Sequence, residues 1–228
     1  MNTTVAGFRL HYMDDSGSAA SGIASFTWLQ LHPAAWVDAE QAWSTFRAEL
    51  AERHAIPAHA RLHATELASG RRSPSLDPNW DVAALGVDVI REALEVVAAI
   101  PEVAVATVYR RAGAAGHATA KKGLYETLVH ALDADLRATG QTGIVFMDGD
   151  GSDTSYRAAH QTLPPGRHLI EAPVFRHAAA DQWVQMADIA AWSAFQTLRH
   201  RAHRGRRMWS WYPTILGPVD LHHGPRPL

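Results

Sequence analysis

The 228-residue chain contains no cysteine. Disulfides, zinc–thiolate centres, iron–sulfur clusters and cysteine nucleophiles are therefore excluded. Its 14 histidines are scattered and include no HExxH pair, so the helix of the common zinc peptidases is missing as well. No apolar run reaches the roughly 18 residues needed to span a bilayer. The opening MNTTVAG has neither the basic nor the apolar region of a signal peptide. A cytoplasmic protein with no membrane partner is the expectation. Charge of one sign is lacking too. The formal net charge is −2, which gives no overall pull toward nucleic acid.

Against these absences stands a local excess of base. In RHRAHRGRR, Arg199, Arg201 and Arg204 would be expected to guide a phosphate backbone. The same run also reads as a solvated helix end, where cations meet the negative end of the helix dipole. Hydrophobic residues make up 47% of the chain, enough for a core without staples. One domain over 1–228 is expected, with a long irregular loop at about 54–79 and a Pro- and Gly-rich tail at about 208–228 that wraps the surface.

Alternation predicts a strand over Gly7–Met13, a turn at DDSG, and a second strand in IASFTWLQL. Helices are predicted over about Ala35–Glu52, Asp81–Ala99, Thr119–Thr139, Tyr156–Leu163 and Asp181–His203. Further strands are predicted over Val103–Tyr109, Gly143–Asp148 and His168–Val174. Interleaved strands and helices of this kind define an α/β domain, a central mixed β-sheet flanked by α-helices.

Four motifs carry the candidate chemistry. YMDDSG places Asp14 at the end of an apolar run, with Asp15 and Ser16 beside it; Asp, Ser and Gly are also ordinary turn residues. RLHATEL sets His63 and Glu66 three apart, on one face if locally helical. GIVFMDGD ends a buried strand on Asp148, with Asp150 two residues on. QMADIAAW puts Asp188 among small apolar residues, where an acid is costly unless paired or bound to metal, with Gln185 one turn earlier to orient it. Acids brought together from distant segments repel one another unless a cation neutralises them. Their oxygen-only donors suit Mg²⁺ or Mn²⁺.

Three functions follow. The leading one is a metal-dependent nuclease or phosphodiester hydrolase. Asp14 would bridge two ions about 4 Å apart, Asp148 and Asp188 would complete their spheres, Glu66 would assist, and His63 would shuttle a proton. The second is a non-catalytic nucleic-acid-binding or protein-interaction module, with Trp-rich helices forming a homodimer interface. The third is a phosphomonoesterase with Asp148 as nucleophile, although no lysine follows Asp148 to serve it.

In this order the motifs YMDDSG, LHATEL, GIVFMD and QMADIAAW resemble those of the bacterial and phage family catalogued as "domain of unknown function 3800". The resemblance spans roughly Arg9–Arg201. It implies a ribonuclease-H-like fold with acids on the first strand, a central strand and a late helix, here Asp14, Asp148 and Asp188. At Asp15 the family usually has glutamate.

Overall fold

The computed structural model describes residues 7–200 and 207–228. A six-stranded mixed sheet has the order β5-β4-β1-β2-β3-β6. Its first three strands, β1 (Phe8–Ser18), β2 (Ile23–Leu31) and β3 (Ala104–Arg111), form an antiparallel meander. β4 (Thr142–Asp148) runs parallel to β1, and β5 (Val174–Arg176) runs parallel to β4. β6 (Arg226–Pro227) lies parallel to β3 at the far edge.

Helices cover both faces. On one lie α1 (Trp36–His54), the short α2 (Ala64–Ser69), α3 (Val82–Ala99) and α6 (Gln182–Arg199). On the other lie α4 (Gly116–Ala138) and α5 (Thr154–Gln161). The pleat of β1 sorts its side chains between the layers. Tyr12 joins the α6 side, whereas Met13 packs beneath the leucine stripe of α4, Leu124, Leu128, Leu132 and Leu136. Asp81 and Asp181 cap α3 and α6 by accepting hydrogen bonds from their first-turn amides, which is why both helices begin where they do.

Several expectations are corrected. β1 does not end at Asp14. Ser16, Gly17 and Ser18 pair with Ser25, Ala24 and Ile23, so DDSG is strand and the turn falls at residues 19–22. The loop at 54–79 contains α2. The strand foreseen over His168–Val174 shrinks to β5, with a single bridge from Leu169 to Gly143. Glu171 turns into the left-handed region at φ 57°, and Pro173 has no N–H to give.

The tail is part core and part surface: its last residues, 221–228, run half-buried or exposed along the sheet edge, whereas its first half reaches inward. Met208, Tyr212 and Leu216 are fully buried at four-residue spacing, a helical stripe masked in the sequence by Pro and Gly. Trp43, Trp183 and Trp192 are likewise buried within the chain, so these side chains are not free to form a dimer interface. Among the described residues, no helix is long and apolar enough to cross a membrane.

Candidate carboxylate site

The parallel pairing of β1 with β4 stops at Met13 and Met147. Asp14 and Asp148 are the next residues of the two strands, at the edge where α/β sheets commonly hold ligands. Two residues back, on the same face, the Tyr12 and Phe146 rings stack at 4.8 Å, and Trp183 of α6 stacks on Tyr12 at 4.9 Å. This aromatic floor fixes α6 against the strands. Asp188 stands further along α6.

Asp14 is buried, and one carboxylate oxygen accepts the amide of Asp15 at 2.8 Å. Burial above all, then the charges of Asp188, Asp15 and Asp148, hold its carboxyl well above the usual range. It has no ion-pair partner among the described residues. Asp188 is also raised, chiefly by burial. The Ala64 amide, His63 and Arg61 oppose that shift, and Asp148 adds to it. Asp148 is half-buried, and its Oδ1 accepts the Ala178 amide at 2.9 Å.

The segment before α2 is fastened to α6 by two side chains. Gln185 Oε1 accepts the Leu62 amide at 2.9 Å, and Asp188 Oδ2 accepts the Ala64 amide at 2.9 Å. Gln185 thus holds the backbone of the RLHATEL motif rather than orienting Asp188 directly. His63, between the two anchors, is presented to the acids. Its Nε2 lies 4.0 Å from Asp188 and its Nδ1 3.7 Å from Glu66. These separations permit an ion pair when the ring is protonated but exceed hydrogen-bond length.

Outside this contact opens a cleft of about 340 Å³, lined by His63, Glu66, Arg61 and Arg72. The two arginines are exposed and were missed in the sequence, where RL and GRR carry no spacing that ties them to the acids.

The remaining candidates lie elsewhere. Asp15 points to the opposite face of the sheet, where it takes Lys121 at 2.8 Å and the Tyr156 hydroxyl at 3.2 Å. Ser16 follows Asp14 on the same strand face, half-buried. Asp150 is exposed and accepts the Ser152 amide at 2.9 Å. That local contact with Ser152 holds its carboxyl below the usual range. Arg199 is exposed at the end of α6, its guanidinium 5.5 Å from the Phe195 ring. Arg201 and Arg204 lie outside the described residues.

The site therefore gathers acids from β1, β4 and α6 and sets a histidine and a glutamate beside them. An all-oxygen donor set suits a hard divalent ion. The spacing is another matter. Among the described residues, no three His, Asp or Glu side chains are grouped closely enough to hold one metal ion. In comparisons with protein-family models, curated proteins and solved structures, nothing matches the chain.

Proposed function

We propose that the chain is a phosphodiester hydrolase acting on nucleic acid, ribonuclease-H-like in architecture, with Asp14, Asp148 and Asp188 as its acids and Mg²⁺ or Mn²⁺ as their counter-charge. One observation carries the reading. Asp14 is a buried carboxyl facing two further acids, with no cation paired to it among the described residues. Such an arrangement is costly to keep, and clefts that keep it are commonly functional.

Asp14, Asp188 and Asp148 would hold the ion, which when bound polarises a phosphoryl oxygen. His63, between Asp188 and Glu66, is placed to hold or release a proton. Arg61 and Arg72, at the adjoining cleft, offer forked donors that match phosphate oxygens. Gln185 keeps His63 and Glu66 in place by fixing the backbone at Leu62.

The test is calorimetry with Mn²⁺ on the intact protein and on Asp14→Asn, with cleavage of labelled DNA and RNA in Mn²⁺ and in chelator. Saturable binding that is lost in the variant, with cleavage lost in both the variant and chelator, is the expected result. An intact protein that binds nucleic acid but neither binds Mn²⁺ nor cleaves would replace this reading with the second one, a non-catalytic nucleic-acid-binding module.

A further inference from the structure

Beyond the acids, β1 and α6 run side by side to a second feature on the same face of the sheet. Ser18, Ile23 and Arg111 are partners in one row across β1, β2 and β3. Side chains alternate along a strand, so Ser18 shares the face of Asp14, and Arg111 shares it through the row. α6 follows the same direction. Trp183 stacks on Tyr12, Asp188 faces Asp14, and Leu198 and Arg199 come down beside Ser18 and Ile23. There the row, the hairpin turn and the end of α6 enclose a groove of about 630 Å³. Arg111 charges its sheet wall and Arg199 its helix wall, and both are exposed. Among the described residues neither arginine has an acidic partner.

From this groove we infer a second anion site, which grips the phosphate backbone of a nucleic acid a few nucleotides from the bond held at the acids. The place of the cut rests on the hydrolase reading; the grip itself does not. Two like charges on opposite walls repel unless an anion sits between them. The dipole of α6 accounts for Arg199 alone, since Arg111 comes from the sheet. Guanidinium groups are forked donors that match phosphate oxygens, and such contacts fix register without reading sequence. The distances suit one substrate reaching both places. Four residues of strand separate Asp14 from Ser18, about 13 Å at ~3.3 Å each. Eleven residues of helix separate Asp188 from Arg199, about 16 Å at ~1.5 Å each. Stacked nucleic acid rises about 3.4 Å per nucleotide, so about four to five nucleotides bridge the gap. Among the described residues, no strand pairs with β1 on its β4 side beyond Met13, which leaves that flank of β1 as the track between the two.

The chain has no cysteine, so Ala20→Cys in the hairpin turn gives one attachment point for a photo-crosslinker at the groove. The probe is a fluorescent DNA duplex of about sixteen base pairs, long enough to span both places. In chelator, the intact protein should bind it by anisotropy, and Arg111→Ala and Arg199→Ala should each weaken that binding about ten-fold. Arg111→Lys and Arg199→Lys keep the charge and should retain more of the affinity than alanine. The crosslink from Ala20→Cys should map about four to five base pairs from the cut made in Mn²⁺. It stands even if an arginine variant misfolds. Folded alanine variants with full affinity, or no crosslink at saturating duplex, would overturn the proposal. Cleavage with an unchanged KM in the alanine variants would overturn it too, while leaving the hydrolase reading intact. Arginine-dependent binding and a crosslink without any cleavage would do the reverse, upholding the groove and removing the hydrolase.

Discussion

Asp14 shows what one buried acid does to a whole chain. Because burial and neighbouring acids raise its carboxyl, the folded protein keeps a proton that the unfolded chain releases. Stability therefore falls as pH rises from the ordinary carboxyl range through the raised value. Asp14→Asn removes that loss and is expected to raise urea-unfolding stability at pH 7 by on the order of 1 kcal/mol. Histidines act in the opposite sense. His11 and His160 are lowered, mainly by burial, from 6.5 to about 3 and about 4. Their contribution is present above pH 6.5 and is lost as pH falls toward those values. Unfolding followed from pH 7 to 4 should show an acid-side loss of stability that is shallower in His11→Phe. Of these residues Asp14 was conspicuous in the sequence, as an acid ending an apolar run, whereas His11 and His160 were not. His11 lay in an alternating strand where any residue type can face either layer, and only the three-dimensional packing shows that its ring is buried with no hydrogen-bond partner among the described residues.

At the scale of elements, the join between α2 and α6 governs the acid site. Gln185→Leu removes the acceptor for the Leu62 amide and should cost about 1–3 kcal/mol. Faster amide exchange at Leu62 and Ala64, with α4 unchanged, would locate the effect. The β1–β2 hairpin is held by Gly17, whose φ is 134° and whose Cβ, if present, would sit 2.0 Å from the Ile23 carbonyl oxygen. Gly17→Ala is therefore expected to destabilise by at least about 1–3 kcal/mol, read by thermal unfolding. Most helices were legible because their apolar stripes are local: the leucines of α4 and the caps of α3 and α6 lie within a few residues of each other. The lengths of β1 and β5 were not, because partner strands decide where pairing stops. DDSG has turn composition, yet β2 lies alongside it and keeps it extended.

At the scale of the molecule, a net charge of −2 leaves any grip on nucleic acid to local patches. If Arg61 and Arg72 meet phosphates, as the proposed function requires, affinity should drop with salt. Each lost contact should flatten the log–log slope by about 0.9 on duplex DNA. Fluorescence anisotropy on Arg61→Ala and Arg72→Ala at several salt concentrations checks this, and unchanged slopes would remove both residues from the interface. The mixed sheet was expected from the alternation of strands and helices. Its order, β5-β4-β1-β2-β3-β6, was not, because strand neighbours are chosen by long-range packing that no window of sequence contains. The convergence of Asp14, Asp148 and Asp188 on one sheet face was expected only from motif order, and their spacing was beyond it.

The hydrogen bonds from Leu62 and Ala64 to α6 join residues 123 and 124 positions apart. A ribosome delivers the amino-terminal meander long before it delivers their acceptors. While the chain is being made, the backbone around His63 must wait without these partners, and a nascent fragment that stops short of Gln185 cannot be locked into working order. The joint that presents His63 can therefore close only late in synthesis, once α6 has been made.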